Sequence, residues 1–270
     1  MDDRPIGVFD SGFGGLTVAR AIIDLLPGED LVYFGDTGRY PYGPRPLDEV
    51  REFARQITAL LIDRHNVKMV VVACNNASAA ALDALRFEHD LPIVGVIDPG
   101  VRALLTATRN RRIGVIATVG TVASGAYQRA VAATRAAVQL QCAACPGFVE
   151  FVERGETETE DVQVLAERLL APVRDAGVDA LLLGCTHYPF LAHTIGDVMG
   201  RDVVLVSSAD ETAFEVRTIL AETGLVRRSG RGTGKGRHLF VSSGDVEWFK
   251  RLGGRLLGPE VDDVEAHEWN

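Results

Sequence analysis

Two thiols stand in matching surroundings: Cys74 closes the apolar run "KMVVVAC", and Cys185 closes "DALLLGC". A thiolate can accept a proton and a thiol can return one. Two of them on opposite sides of a ligand could therefore strip hydrogen from one face of a carbon and deliver it to the other. That is the chemistry of inversion. Each cysteine precedes an expected helix start, where unpaired backbone N–H groups and the positive dipole end would lower a thiol pKa below about 8.5. Taken singly, either cysteine could as well be a small buried hydrophobe. The matched pair is what favours acid/base work.

Polar residues gather beside both thiols. Asn75 and Asn76 follow Cys74, and Thr186 and His187 follow Cys185. At strand ends such groups can cap the backbone, and next to a thiol they can also contact a substrate. His187 could hold a proton or orient the thiol. The other histidines (His65, His89, His193, His238 and His267) read as surface or helix positions. Asp10 and Ser11 end a third apolar run in "PIGVFDSGFGG", where glycines allow close approach of a ligand and a helix start favours bound negative charge. The same residues also suit a helix cap and a turn. A dinucleotide fingerprint does not fit "GFGGLT", because Leu16 and Thr17 stand where its third glycine should fall. Cys142 and Cys145 form a single C-x-x-C without a second ligand pair, so they read as strand thiols and not as a metal site.

These residues need scaffolding, and the chain supplies it as alternating β-branched runs and amphipathic stretches, the pattern of βαβ units on parallel sheets. Strands are expected at "PIGVFD", "LVYFGD" and "KMVVVAC", and helices at "GGLTVARAIIDLLP" and from about Asp48 to Arg64. The second part echoes the first. "RRIGVIATVGT" follows "RPIGVFDSGFG", "DALLLGCTHYP" follows "KMVVVACNNAS", and "DVVLVSSADET" follows "LPIVGVIDPGV", at offsets of about 107 to 111 residues. The expected fold class is α/β: two similar parallel-sheet domains related by a pseudo-twofold, with the active site in the interdomain crevice, at the carboxyl ends of the strands. The tail is less regular. "GLVRRSGRGTGKGR" (224 to 237) reads as a solvated linker whose "GKG" fails the phosphate-loop pattern, followed by the strand "HLFVSS" and a last helix "GDVEWFKRLGGRLLG".

Composition narrows the class. With 270 residues, 47% hydrophobic, the chain can bury a full core of one large or two ordinary domains. A net charge of -9 makes a polyanion such as nucleic acid a poor partner. No apolar run approaches the roughly 20 residues of a membrane span, and "MDDRPIGV" lacks the basic region of a leader, so a cytoplasmic location is expected. Four irregularly spaced cysteines fit a reducing compartment.

At "FDSGFGGLTV", "PYGPR", "ACNNAS" and "GCTHYP" the chain resembles the glutamate racemases of the cofactor-independent aspartate/glutamate racemase superfamily, with the motifs in family order from residue 5 to about 215. The resemblance implies a first α/β domain of residues 1–97 completed by 208–270, and a second of residues 98–207. It implies Cys74 and Cys185 as the acid/base pair, and substrate held by Asp10, Ser11, Tyr42, Gly43, Asn75, Asn76, Thr186 and His187. Glu153 in "FVEFVERGE" matches the carboxylate that supports the histidine. One departure is Asn76, where the family usually has threonine; an amide can still donate, so altered affinity is expected rather than lost function. The implied activity is interconversion of L- and D-glutamate without cofactor or metal, supplying D-glutamate for peptidoglycan and hence for cell wall and cell shape. Homodimers and an effect on DNA gyrase are further family properties, and no membrane partner is implied. An aspartate racemase, a related thiol-dependent racemase or decarboxylase, or a non-catalytic protein keeping the fold are the rival readings.

Overall fold

The computed structural model describes residues 1–227, 234–261 and 264–269, so part of the expected 224–237 linker, residues 228–233, lies outside the described residues. The chain divides into two compact units, residues 1–96 with 212–270, and residues 97–211.

Unit 1 begins as β1 (Ile6–Asp10), α1 (Leu16–Leu25), β2 (Leu31–Gly35), α2 (Leu47–His65), β3 (Met69–Val72), α3 (Asn75–Glu88) and β4 (Ile93–Gly95). Unit 2 runs α4 (Ile97–Ala107), β5 (Arg112–Ala117), α5 (Val119–Ala123), α6 (Ala126–Ala133), β6 (Gln139–Ala144), α7 (Phe148–Arg154), α8 (Glu160–Asp175), β7 (Ala180–Gly184), α9 (Ala192–Met199) and β8 (Val204–Val206). Helix α10 (Ala209–Glu222) returns the chain to unit 1, which ends with β9 (His238–Ser242), α11 (Val246–Leu257) and β10 (Val264–Ala266).

The strand orders give the internal repeat a structural form. Sheet A runs β10-β9-β2-β1-β3-β4 and sheet B runs β6-β5-β7-β8, and the paired strands of both are parallel. The segment β2-β1-β3-β4 thus has the same order as β6-β5-β7-β8, with the thiol strand third in each. Sheet A adds β9 and β10, the tail's contribution. The sequence reading has one strand there, and β10 is a second, too short and too polar (Val264, Glu265, Ala266) to announce itself. His238 opens β9 rather than lying on a helix or the surface, and His267 follows β10 with its ring against Trp269.

Continuous apolar strands form because both faces of a parallel sheet are covered. Phe9, Phe34, Val70 and Val72 share one buried cluster with Ile57 and Leu61 of α2 and Leu85 of α3. On the opposite face Tyr33 meets Phe249 of α11, ring centroids 6.1 Å apart. Helix α2 has Asp48 and Glu49 in its first turn, Arg64 and His65 in its last, and ends where Asn66 turns left-handed (φ 48°). Charges so placed complement the helix dipole, and asparagine tolerates that turn. In unit 2, Leu181 and Leu182 of β7, Ile116 of β5 and Leu170 of α8 are fully buried. Among the described residues no helix is long and apolar enough to cross a membrane.

Candidate active site

In unit 1 the expected residues lie at the carboxyl ends of three adjacent strands. β1 pairs with β2 through Asp10 and Gly35, and with β3 through Phe9 and Val72. Asp10, Asp36 and Cys74 therefore come off neighbouring strands at one edge of the sheet. Asp10 is fully buried, and its Oδ2 accepts from the N–H groups of Gly12 (3.2 Å) and Gly15 (3.0 Å). Gly15 is the N-cap of α1, so the helix start expected to favour a bound anion already carries the protein's own carboxylate. A Cβ at Gly15 would fall 2.6 Å from Asp10 Cβ, so the approach requires glycine. Burial is the first cause that raises the Asp10 pKa.

Cys74 is the N-cap of α3, with extended backbone (φ -77°, ψ 124°), and its Sγ lies 3.7 Å from Ser11 Oγ. The expected lowering of its pKa is overturned. Burial, with the charge of Asp10 adding to it, pushes the thiol up to about 12. The helix start is present, but an enclosed thiolate beside a carboxylate loses more from lost hydration and repulsion than the dipole returns. Asn75 and Asn76 are not strand-end caps; they are the first two residues of α3, both buried. Asn76 Nδ2 donates to the carbonyl of Tyr42 (2.6 Å), and the Tyr42 hydroxyl donates to Asp36. Tyr42 is thus held at both ends, and Gly43 follows it on the same half-buried loop.

In unit 2, Cys185 comes directly after β7, with Thr186 and His187, all buried. The helix expected after this thiol is instead a 3-10 turn over Tyr188–Leu191, with α9 starting at Ala192. The turn is pinned by Tyr188, fully buried, whose hydroxyl donates to the carbonyl of Cys145 (3.0 Å) and whose ring meets Phe148 edge-on at 5.4 Å. His187 Nδ1 lies 4.0 Å from Cys185 Sγ and 3.5 Å from Thr186 Oγ1. On its other side Nε2 is 3.8 Å from Glu153 Oε1 of α7. That is near enough for attraction once the imidazole is protonated but beyond hydrogen-bond length, so burial prevails and holds the His187 pKa down to about 4. The ring is neutral at pH 7.

The structure therefore groups Asp10, Ser11 and Cys74, joins Asn76 to Tyr42, and groups Cys185, Thr186, His187 and Glu153. Cys142 lies in β6 and Cys145 just after it; both are unpaired as disulfides, and burial pushes their pKa values up to about 11 and 12. Among the described residues no group of histidine, cysteine and acidic side chains could hold a metal ion. Two features escaped the sequence reading. Asp36 directly follows β2, one step beyond the place that Asp10 takes in β1, a signal that was present in "LVYFGD". In unit 2, Thr118 follows β5 at the place corresponding to Ser11, with Ala117 at that of Asp10, and caps α5, its Oγ1 accepting from Thr121 N (3.4 Å).

Comparison with known proteins adds to this geometry. Residues 6–215 match the Asp/Glu/Hydantoin racemase family. A glutamate racemase of Beutenbergia cavernae is 53% identical over 98% of this chain and 93% of its own. Among solved structures, glutamate racemase isoform RacE1 from Bacillus anthracis has a TM-score of 0.92 at 38% identity, covering 100% of this chain and 98% of that one. The Francisella tularensis glutamate racemase in complex with D-glutamate has a TM-score of 0.90 at 32% identity, covering 99% and 98%.

Proposed function

The chain belongs to the Asp/Glu/Hydantoin racemase family, and from that premise we propose that it is a glutamate racemase, interconverting L- and D-glutamate with Cys74 and Cys185 as its two acid/base groups. The observation that carries this reading is the repeated placement of one buried thiol just past the third strand of each four-strand order. In the proposed arrangement the two thiols address opposite faces of the substrate α-carbon. One thiolate removes the α-proton, and the opposite thiol delivers its own proton to the other face. Product and enzyme then differ from the start only by inversion and by exchange of roles between the thiols.

A thiol with pKa near 12 is protonated at rest, which suits Cys74 as proton donor. To act as base it must first lose that proton. The substrate ammonium group, drawn to the buried Asp10, would supply the positive charge that lowers the thiol pKa and screens the carboxylate. Ser11, Gly43, Asn75, Thr186 and backbone groups around Tyr42 and Asn76 would hold the carboxylates. His187, neutral and hydrogen-bond capable, would orient Cys185, with Glu153 behind it. No cofactor enters this scheme, and it needs neither a second copy of the chain nor DNA gyrase. The cellular role we attach to it, from family membership, is supply of D-glutamate for peptidoglycan in the cytoplasm.

Incubation with D-glutamate in deuterated water should give both enantiomers with deuterium at the α-carbon. Unchanged optical rotation without exchange would sink the proposal. Cys74→Ser and Cys185→Ser should each abolish racemisation, and full turnover in either variant would remove that cysteine from the mechanism.

A further inference from the structure

Asp36 does no chemistry in the proposed reaction, yet its carboxylate accepts four hydrogen bonds. It is fully buried, and each oxygen accepts twice: Oδ2 from the Tyr42 hydroxyl and Arg39 Nε (2.7 Å), Oδ1 from Ser243 Oγ (2.6 Å) and Trp269 Nε1 (2.8 Å). Two of these donors come from 207 and 233 residues away, on the segment that adds β9 and β10 to the sheet. The Arg39 guanidinium also lies against two rings, 3.7 Å from the centroid of Trp269 and 4.1 Å from that of Phe53. Trp269 is itself seated, against Phe34 and His267 at 5.6 and 4.5 Å.

We infer that Asp36 is a positioning residue for the loop carrying Tyr42 and Gly43, and that Trp269 is the C-terminal clasp that keeps Asp36 and Arg39 in place. The inference rests on the proposed racemase function, in which that loop contacts substrate. A buried carboxylate is held in one orientation only while its donors are complete, because losing one leaves lone pairs facing apolar surroundings. Tyr42 hangs from that carboxylate by its hydroxyl, and burial together with the Asp36 charge keeps the phenol protonated and donating. Removing Trp269 takes away both a donor to Asp36 and the ring beside Arg39, so the loop loses two supports at once. A loosened substrate-binding loop weakens substrate binding, which shows as a raised KM at nearly constant kcat.

The test uses the full chain with Trp269→Ala and Trp269→Phe. Phenylalanine keeps a ring for Arg39 but lacks the N–H donor. The first readout needs no turnover: amide hydrogen exchange of residues 36–45, with residues 112–117 of β5 as internal reference. Exchange of 36–45 should quicken by about tenfold in Trp269→Ala and by less in Trp269→Phe, with the reference unchanged. The second readout is kcat and KM for D-glutamate: KM should rise about tenfold in Trp269→Ala and about threefold in Trp269→Phe, with kcat within about twofold. Unchanged exchange in both variants overturns the clasp. Faster exchange with wild-type KM and kcat overturns the positioning role and leaves Trp269 a packing residue. Should Trp269→Ala not fold, Trp269→Phe decides alone, and its equality with wild type in both readouts overturns the bond from Nε1 to Asp36 as the clasp. A wild-type chain that exchanges no α-hydrogen would sink the racemase proposal, while hydrogen exchange would still test the clasp.

Discussion

The buried imidazole of His187 makes a prediction that can be worked through numerically. Its ordinary pKa of 6.5 is held down to about 4 by burial. The folded protein therefore refuses a proton that the unfolded chain accepts, and this holds between those two values. Above pH 6.5 both states are neutral at this site and it contributes nothing to pH dependence. As pH falls below 6.5 the unfolded state gains protons first, so stability is lost, and the loss levels off below about pH 4. At pH 5 the unfolded state is favoured by a factor of about 30, or about 2 kcal/mol, and at pH 4 by about 3 kcal/mol. The perturbation is His187→Asn, which keeps a polar side chain but cannot titrate. Urea unfolding of wild type and variant at pH 7.5 and 5.0 gives four stabilities, and the double difference removes every other titrating group. Wild type should lose about 2 kcal/mol more than the variant on acidification. An imidazole NMR titration of the folded protein reads the same quantity directly. Equal losses in both proteins, or an imidazole that titrates near 6.5, would refute the assignment of burial as the controlling force.

Three further outcomes follow from other parts of the structure. Lys68 and Glu29 form a buried ion pair at 2.5 Å, 1% and 5% exposed, so Lys68→Met should cost about 3–5 kcal/mol by urea unfolding, with Glu29→Leu added to it restoring part of the loss; a cost under about 1 kcal/mol would contradict the pairing. Gly15→Ala puts a Cβ 2.6 Å from Asp10 Cβ and 3.0 Å from Ala73 Cβ, so it should destabilise by about 1–3 kcal/mol and lower kcat/KM through Asp10; an unchanged Tm would show that the turn can give way. With Cys142, Cys145 and Cys185 changed to serine, alkylation of Cys74 at pH 8 should run about a thousandfold slower than that of a simple thiol and climb with pH beyond 10, since its pKa lies near 12; a rate that levels off below pH 9 would show a thiol not raised by burial.

Much of the framework could be read from contiguous residues. The apolar runs that became β1, β3, β5 and β7 are continuous because both faces of each sheet are covered, and their breaks at Asp10, Cys74 and Cys185 mark where the chain leaves the sheet. The echo between the two parts reappears as one shared strand order. What failed was less local. Strand β10 is three residues long and exists only through pairing with β9, so no pattern within it could announce a strand. The 3-10 turn after Cys185 depends on Tyr188 reaching the carbonyl of Cys145, just past another strand.

The same division runs through the chemistry. The amino-acid sequence by itself determined which groups stand at the strand ends, because strand termination is a short-range matter of apolar pattern and turn residues. It also determined the family, through motifs carried in order along the chain. Tertiary structure decided how those groups behave. The Cys74 pKa moves up instead of down because enclosure outweighs a helix start, and enclosure is a property of everything packed around the thiol. The α1 N-terminus carries Asp10 instead of an outside anion because the turn folds back onto it. Tyr42 is held by Asp36, and Asp36 by Trp269, across a span of 233 residues that only the folded sheet brings together.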